Sequence, residues 1–228
     1  MTDRTPAPES GGEPLDLDRQ AREVTRGVRP GSRDGRETEV VTLTQSHPVG
    51  REQLWAACTT VEGLARWMPP VSGELREGGR YQLDGNAGGR ILRCDPPRSF
   101  TATWEYGGDT SWVTATVEPD PDDTARARLT LEHASVPDPA FRARYGPGAT
   151  GVGWDLALSA LAAHLAGAAA SAGPDSAATD PAYQRFVAAT ATAWAEQDIV
   201  AGSPAEAARD AGRRTTAFFT GAPEPGDG

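Results

Sequence analysis

The chain has 228 residues, 38% of them hydrophobic, and a formal net charge of −10. That charge argues against nonspecific nucleic-acid binding, which needs a basic surface to displace counterions. Two cysteines, Cys58 and Cys94, are too few and too widely spaced for a metal motif. All 22 basic residues are arginine, a usage that fits a GC-rich, actinobacterial-type composition rather than a function. The N-terminal "MTDRTPAPESGGEP" lacks the apolar run of a signal peptide. No stretch reaches the roughly 18 apolar residues of a membrane span. These features predict a cytoplasmic protein with reduced thiols and with neither metal nor cofactor.

Residues 1–18 are rich in proline, glycine and acids and predict a disordered tail. Residues 19–36 form an N-terminal extension. Its alternation of Arg22, Val24, Arg26 and Val28, followed by "GSRDG", reads as a strand and turn leading into "ETEVVTLTQS". An amphipathic helix over 15–28 is the competing reading. The arginines here are diluted by Asp16, Asp18, Glu23 and Asp34, which predicts a solvated arm. Two short helices follow. "HPVGREQLWAACT" places Leu54, Trp55 and Cys58 at helical spacing, and "TVEGLARWM" is capped by Thr60 and stopped by Pro69 and Pro70.

From Pro69 to Pro97 the chain is glycine-rich, which poses a choice between a phosphate-binding loop and turns between strands. "GNAGG" lacks the Lys-Ser/Thr ending of a P-loop, and no long helix follows to present its N-terminus to an anion. The glycines therefore read as turns between "VSGEL", "GRYQL" and "GRILRC". "SFTATWEY", "TSWVTATVEP" and "RARLTLEHASV" continue with a turn about every ten residues, the pattern of a curved antiparallel sheet. "GWDLALSALAAHLAGAA" is the strongest helix, with Trp154, Leu158, Leu161 and Leu165 on one stripe. A linker over 169–180 leads to a helical extension over 181–219, opened by Asp180-Pro181 and containing a capping box at Ser203 and Glu206. Residues 220–228 read as a second disordered tail.

The order of strand pair, two short helices, about six strands and a long helix is α+β without βαβ alternation. It resembles the START-like, helix-grip superfamily (SRPBCC, Bet v 1-like). Within it the chain is similar to the family named after the C-terminal domain of the activator of heat-shock protein 90 ATPase. The resemblance is carried by "LWAACTTVEGLARWMPP", "LREGGRYQLDGNAGGRILRCDPPRSFTATWEY", "SWVTATVEP", "RLTLEH" and "GVGWDLALSALAAHL", over roughly residues 38–166. It implies a helix-grip domain over residues 37–168, in which a bent antiparallel sheet grips a long C-terminal helix at about 151–167. It also implies a cavity between sheet and helix for an apolar ligand. Members that activate the chaperone carry a separate N-terminal domain, for which the short polar segment here has no room.

Six tryptophans are many for this length, and aromatic side chains either line pockets or fill cores. The candidate ligand-binding residues are Trp67, Tyr81, Trp104, Tyr106, Trp112, His133, Trp154 and Leu158. His133 is in phase with Leu129 and Leu131; facing inward, it needs a hydrogen-bond partner and becomes a weak candidate for a general base. His47 and His164 read as exposed, Asp155 and Glu105 as solvated acids, and the cysteines as small hydrophobes. A Cys94–His133 pair is a remote alternative. No hydrolase triad is visible. The leading functional reading is a non-catalytic module that binds an apolar or aromatic small molecule. A polyketide cyclase- or aromatase-like enzyme using His133, Tyr81 and Tyr106 is one alternative. A chaperone cofactor or stress-related adaptor is another, and the C-terminal helices are candidates for homodimerisation.

Overall fold

The computed structural model describes residues 12–168 and 179–224. Strands β1 (Thr25–Arg33) and β2 (Arg36–His47) form a hairpin. After helices α2 (Arg51–Thr59) and α3 (Val61–Leu64) come β3 (Val71–Gly73), β4 (Arg80–Leu83), β5 (Gly88–Asp95), β6 (Ser99–Tyr106), β7 (Asp109–Pro119) and β8 (Ala127–Ser135). All eight strands join in one antiparallel sheet, in the order β1-β2-β8-β7-β6-β5-β4-β3. The sheet is curved and does not close. The first hairpin and the six-strand meander therefore meet at β2–β8, across the chain carrying α2 and α3.

Alternation fixes which side of this sheet is buried. Val41, Leu43, Gln45 and His47 of β2 pair with His133, Leu131, Leu129 and Ala127 of β8. Val113, Ala115 and Val117 of β7 pair with His133, Leu131 and Leu129. This three-strand ladder and helix α5 (Gly148–Leu165) share one hydrophobic core, into which α2 inserts Leu54 and Cys58. Thr60 caps α3 by accepting from the Gly63 N–H, as its sequence implies.

Not all glycines of the 69–97 stretch lie in turns. Gly88 and Gly89 are inside β5, and a Cβ on Gly89 would come within 2.2 Å of the Thr103 carbonyl oxygen. Close strand approach requires that glycine, whereas Gly85, with φ of +63°, does turn the chain.

Both predicted tails differ from the structure where it describes them. Asp16 caps a helix α1 (Leu17–Glu23), so order begins before residue 19. The N-terminal extension is thus a helix and then a strand, in place of either alone. At the other end, α7 (Ala205–Thr220) is followed by Glu224, which pairs with Arg144 at 2.7 Å. The proposed linker lies almost wholly outside the described residues. Asp180 caps α6 (Pro181–Val200) by accepting from the Ala182 N–H. The capping box at Ser203 does not form, because the Ser203 hydroxyl donates to Asp198 at 2.7 Å instead.

Helices α6 and α7 pack on the back of α5. Trp194 and Phe186 of α6 are fully buried, and a Cβ on Gly151 of α5 would lie 2.2 Å from the Trp194 ring. Arg142 of α4 (Pro139–Tyr145) joins Glu39 of β2 at 2.7 Å to Asp198 of α6 at 2.5 Å. The helical extension is therefore built into the domain.

Candidate functional site

Between the sheet and the segment after α3 lies a chamber of about 110 Å³. Leu64, Trp67 and Met68 close it from one side, and the inward parity of β4–β8 supplies Tyr81, Ile91, Phe100, Trp104, Val113 and Leu131. Trp154 of α5 completes the wall. A second, outer space of about 430 Å³ shares Trp67, Met68, Trp104 and Trp154 with the chamber and adds Asn86, Thr150 and Gly153. These four side chains therefore form a partition between chamber and vestibule.

Three of the chamber's polar groups are tied to the protein. The Tyr81 hydroxyl donates to the Thr103 carbonyl at 2.7 Å, and burial pushes its pKa up. The Trp67 indole N–H donates to the Ala57 carbonyl at 2.9 Å, and the Thr59 hydroxyl to the Trp55 carbonyl at 2.7 Å. Burial pushes the Cys58 thiol up to about 12, the environment of an inert thiol.

His133 faces inward as its parity predicts, but behind the wall. The Trp154 indole N–H donates to His133 Nδ1 at 2.9 Å, which places the ring proton on Nε2. Nε2–H donates to Ser111 Oγ at 2.8 Å, and that hydroxyl donates to the Trp104 carbonyl at 3.1 Å. Both ring nitrogens are occupied, and desolvation pushes the imidazole down to about 4. The residue is a neutral strut that orients Trp154. Trp104 packs on Trp154 with ring centroids 5.1 Å apart.

Of the eight predicted site residues, the fold brings Trp67, Tyr81, Trp104 and Trp154 together at the chamber. It separates the others. Trp112 points to the outer face, where the Arg33 and Arg36 guanidiniums lie 5.8 and 5.4 Å from its ring centroid. Tyr106 ends its strand 63% exposed. Leu158 is buried in the core outside the chamber lining. Phe100 was the wall residue most open to discovery, since it shares the parity of Ala102 and Trp104.

Three polar residues also depart from expectation. His47 is 1% exposed, its Nε2 has no partner among the described residues, and burial lowers its pKa to about 4. Asp155 is fully buried; Arg26 binds it through two hydrogen bonds of 3.0 and 2.6 Å, and the Trp194 indole N–H adds a third at 2.8 Å. Burial pushes its carboxyl above the usual carboxylate range, against the pull of those donors. The Arg26 side chain is accordingly 5% exposed and belongs to no solvated arm. Cys94 and His133 cannot pair, because β6 and β7 lie between their strands. No group of three or more side chains suited to hold a metal occurs among the described residues. No helix there is long and apolar enough to cross a membrane.

The model of the family described as "Activator of Hsp90 ATPase homolog 1-like protein" matches residues 48–166, more than half of the chain. The chain belongs to this family. The family segment runs from the end of β2 to the end of α5 and so contains both cavities. Among solved structures, CalU16 from Micromonospora echinospora is 29% identical in crystal form, with a TM-score of 0.61 over 77% of this chain and 98% of its own. The solution structure of CalU16 gives a TM-score of 0.66 over 78% and 97%. A conserved protein of unknown function from Enterococcus faecalis shares the fold at 15% identity, with a TM-score of 0.54 over 82% and 96%. No curated protein matches the chain. Coverage by CalU16 exceeds the family segment, so that likeness extends into the elements flanking it.

Proposed function

We propose that the protein binds an apolar small molecule in the chamber between sheet and α5, without transforming it. One observation carries this reading: the chamber is walled by apolar and aromatic side chains, and the polar groups of Trp67, Tyr81 and Trp154 are spent on the protein itself. A wall of this kind binds by removing apolar surface from water and offers no proton donor or acceptor poised for turnover. A cyclase-like reading would use His133, Tyr81 and Tyr106. The first is locked behind Trp154, the second donates to a backbone carbonyl, and the third lies in solvent. A chaperone-cofactor reading rests on the family name alone, which is fold-level analogy.

The chamber's 110 Å³ is smaller than common ligand pockets of roughly 300–1,000 Å³. Admission of a larger ligand therefore requires the partition to move, joining chamber and vestibule. Native mass spectrometry of protein purified gently from its host, beside a denatured extract, tests the reading. A discrete adduct released by denaturation is the expected result. Bare sequence mass, together with no thermal stabilisation by added apolar compounds, would contradict it.

A further inference from the structure

We infer, on the basis of the binding function proposed above, that the ligand is an uncharged amphiphile. Its apolar body fills the chamber, and its hydrogen-bond acceptor takes the indole N–H of Trp104. Three tryptophans stand in the partition between chamber and vestibule. Two have no donor to offer: Trp67 is held by Ala57 and Trp154 by His133. Trp104 is different. Its carbonyl accepts from Ser111, but its indole N–H has no acceptor among the described residues. That N–H is not among the sealed, unpartnered atoms of the interior, and its side chain borders both cavities. A lone donor at the edge of an apolar space favours a ligand that supplies the matching acceptor there, because a polar group buried without a partner is costly.

The charge of the ligand follows from the same walls. Neither cavity is lined by Asp, Glu, Arg or His. A carboxylate or phosphate carried into this space would be desolvated with no cation to pair it. The vestibule offers neutral groups only: the Asn86 side chain and the Thr150 hydroxyl. The chemistry that fits is a hydrocarbon or aryl body ending in a ketone, ester or amide, and free acids are excluded.

A matched trio of probes tests this: butylbenzene, benzylacetone and hydrocinnamate, titrated calorimetrically at about pH 8 into wild type and Trp104→Phe. Wild type is expected to bind benzylacetone at least about a hundredfold more tightly than the carboxylate. Trp104→Phe is expected to weaken benzylacetone about three- to tenfold, the range of one net hydrogen bond, and to change butylbenzene by less than about twofold. Equal effects on both neutral probes, or hydrocinnamate binding as well as benzylacetone, would overturn the inference. Retained butylbenzene affinity also reports that the variant is folded; should it fail to fold, the comparison of ketone with carboxylate on wild type still decides. If neither neutral probe binds wild type, the binding function itself falls. If butylbenzene binds and the ketone shows no dependence on Trp104, only the amphiphile inference falls.

Discussion

Trp154 and Asp155 are neighbours on α5, about 100° apart around its axis, and meet different surroundings. On the front, Trp154 borders open space and is steadied by a neutral chain through His133 and Ser111. On the back, Asp155 meets Arg26 and Trp194 in a charged cluster with no room to spare. The helix's glycines repeat the contrast. A Cβ on Gly151 would strike the Trp194 ring at 2.2 Å, while one on Gly153 would meet nothing within 4 Å. The back of the helix is thus packed to hold position and the front is left loose enough to change. A pocket wall that must admit a ligand needs such a fixed reference.

The sharpest way to break this contrast is to attack the back. Arg26→Ala leaves a buried carboxyl without its cation and is expected to cost about 3–5 kcal/mol in urea unfolding. A loss under about 1 kcal/mol would mean that the pair does not anchor α5. The front has its own signature, which is neutrality. His133 is lowered to about 4 in the fold against an ordinary 6.5, so the unfolded chain takes up the proton first as pH falls. Its contribution is therefore complete above about pH 6.5 and is lost on approach to pH 4, on the order of 3 kcal/mol in all. Imidazole NMR should show an Nε2-protonated neutral ring down to about pH 5, and a ring that titrates near 6.5 would contradict the strut. Gly151→Ala is expected to destabilise by about 1–3 kcal/mol through overpacking against Trp194. Gly153→Ala, on the open side, is expected to stabilise by up to about 1 kcal/mol in thermal melts. Equal effects of the two glycine changes would erase the distinction between the faces.

Much of the front was legible from the sequence, and little of the back. Strand parity located Trp104, and the helical stripe located Trp154, because period alone decides which side of an element is buried. Trp112 departs from its expected place: it alternates with the inward Val113 and Ala115, and Arg33 and Arg36 cover it on the outer face. His47 shares the phase of Leu43 and Gln45, so the signal for its burial was present and obscured by the proline that follows. Asp155 gave no local sign. Its partner Arg26 is 129 positions away, and a buried ion pair becomes visible only when the topology joins its two halves. The family segment covers residues 48–166, which explains why the resemblance conveyed the sheet and α5 and not the helices behind them.

The central claim is that ligand binds at the front of α5 and leaves the back unmoved. Fluorine NMR of protein labelled with fluorotryptophan tests it directly, since the six tryptophans report from both sides. On addition of benzylacetone, the resonances of Trp67, Trp104 and Trp154 should shift, while those of Trp112 and Trp194 stay in place. Shifts confined to Trp112 or Trp194, or no shift at saturating probe, would contradict the account.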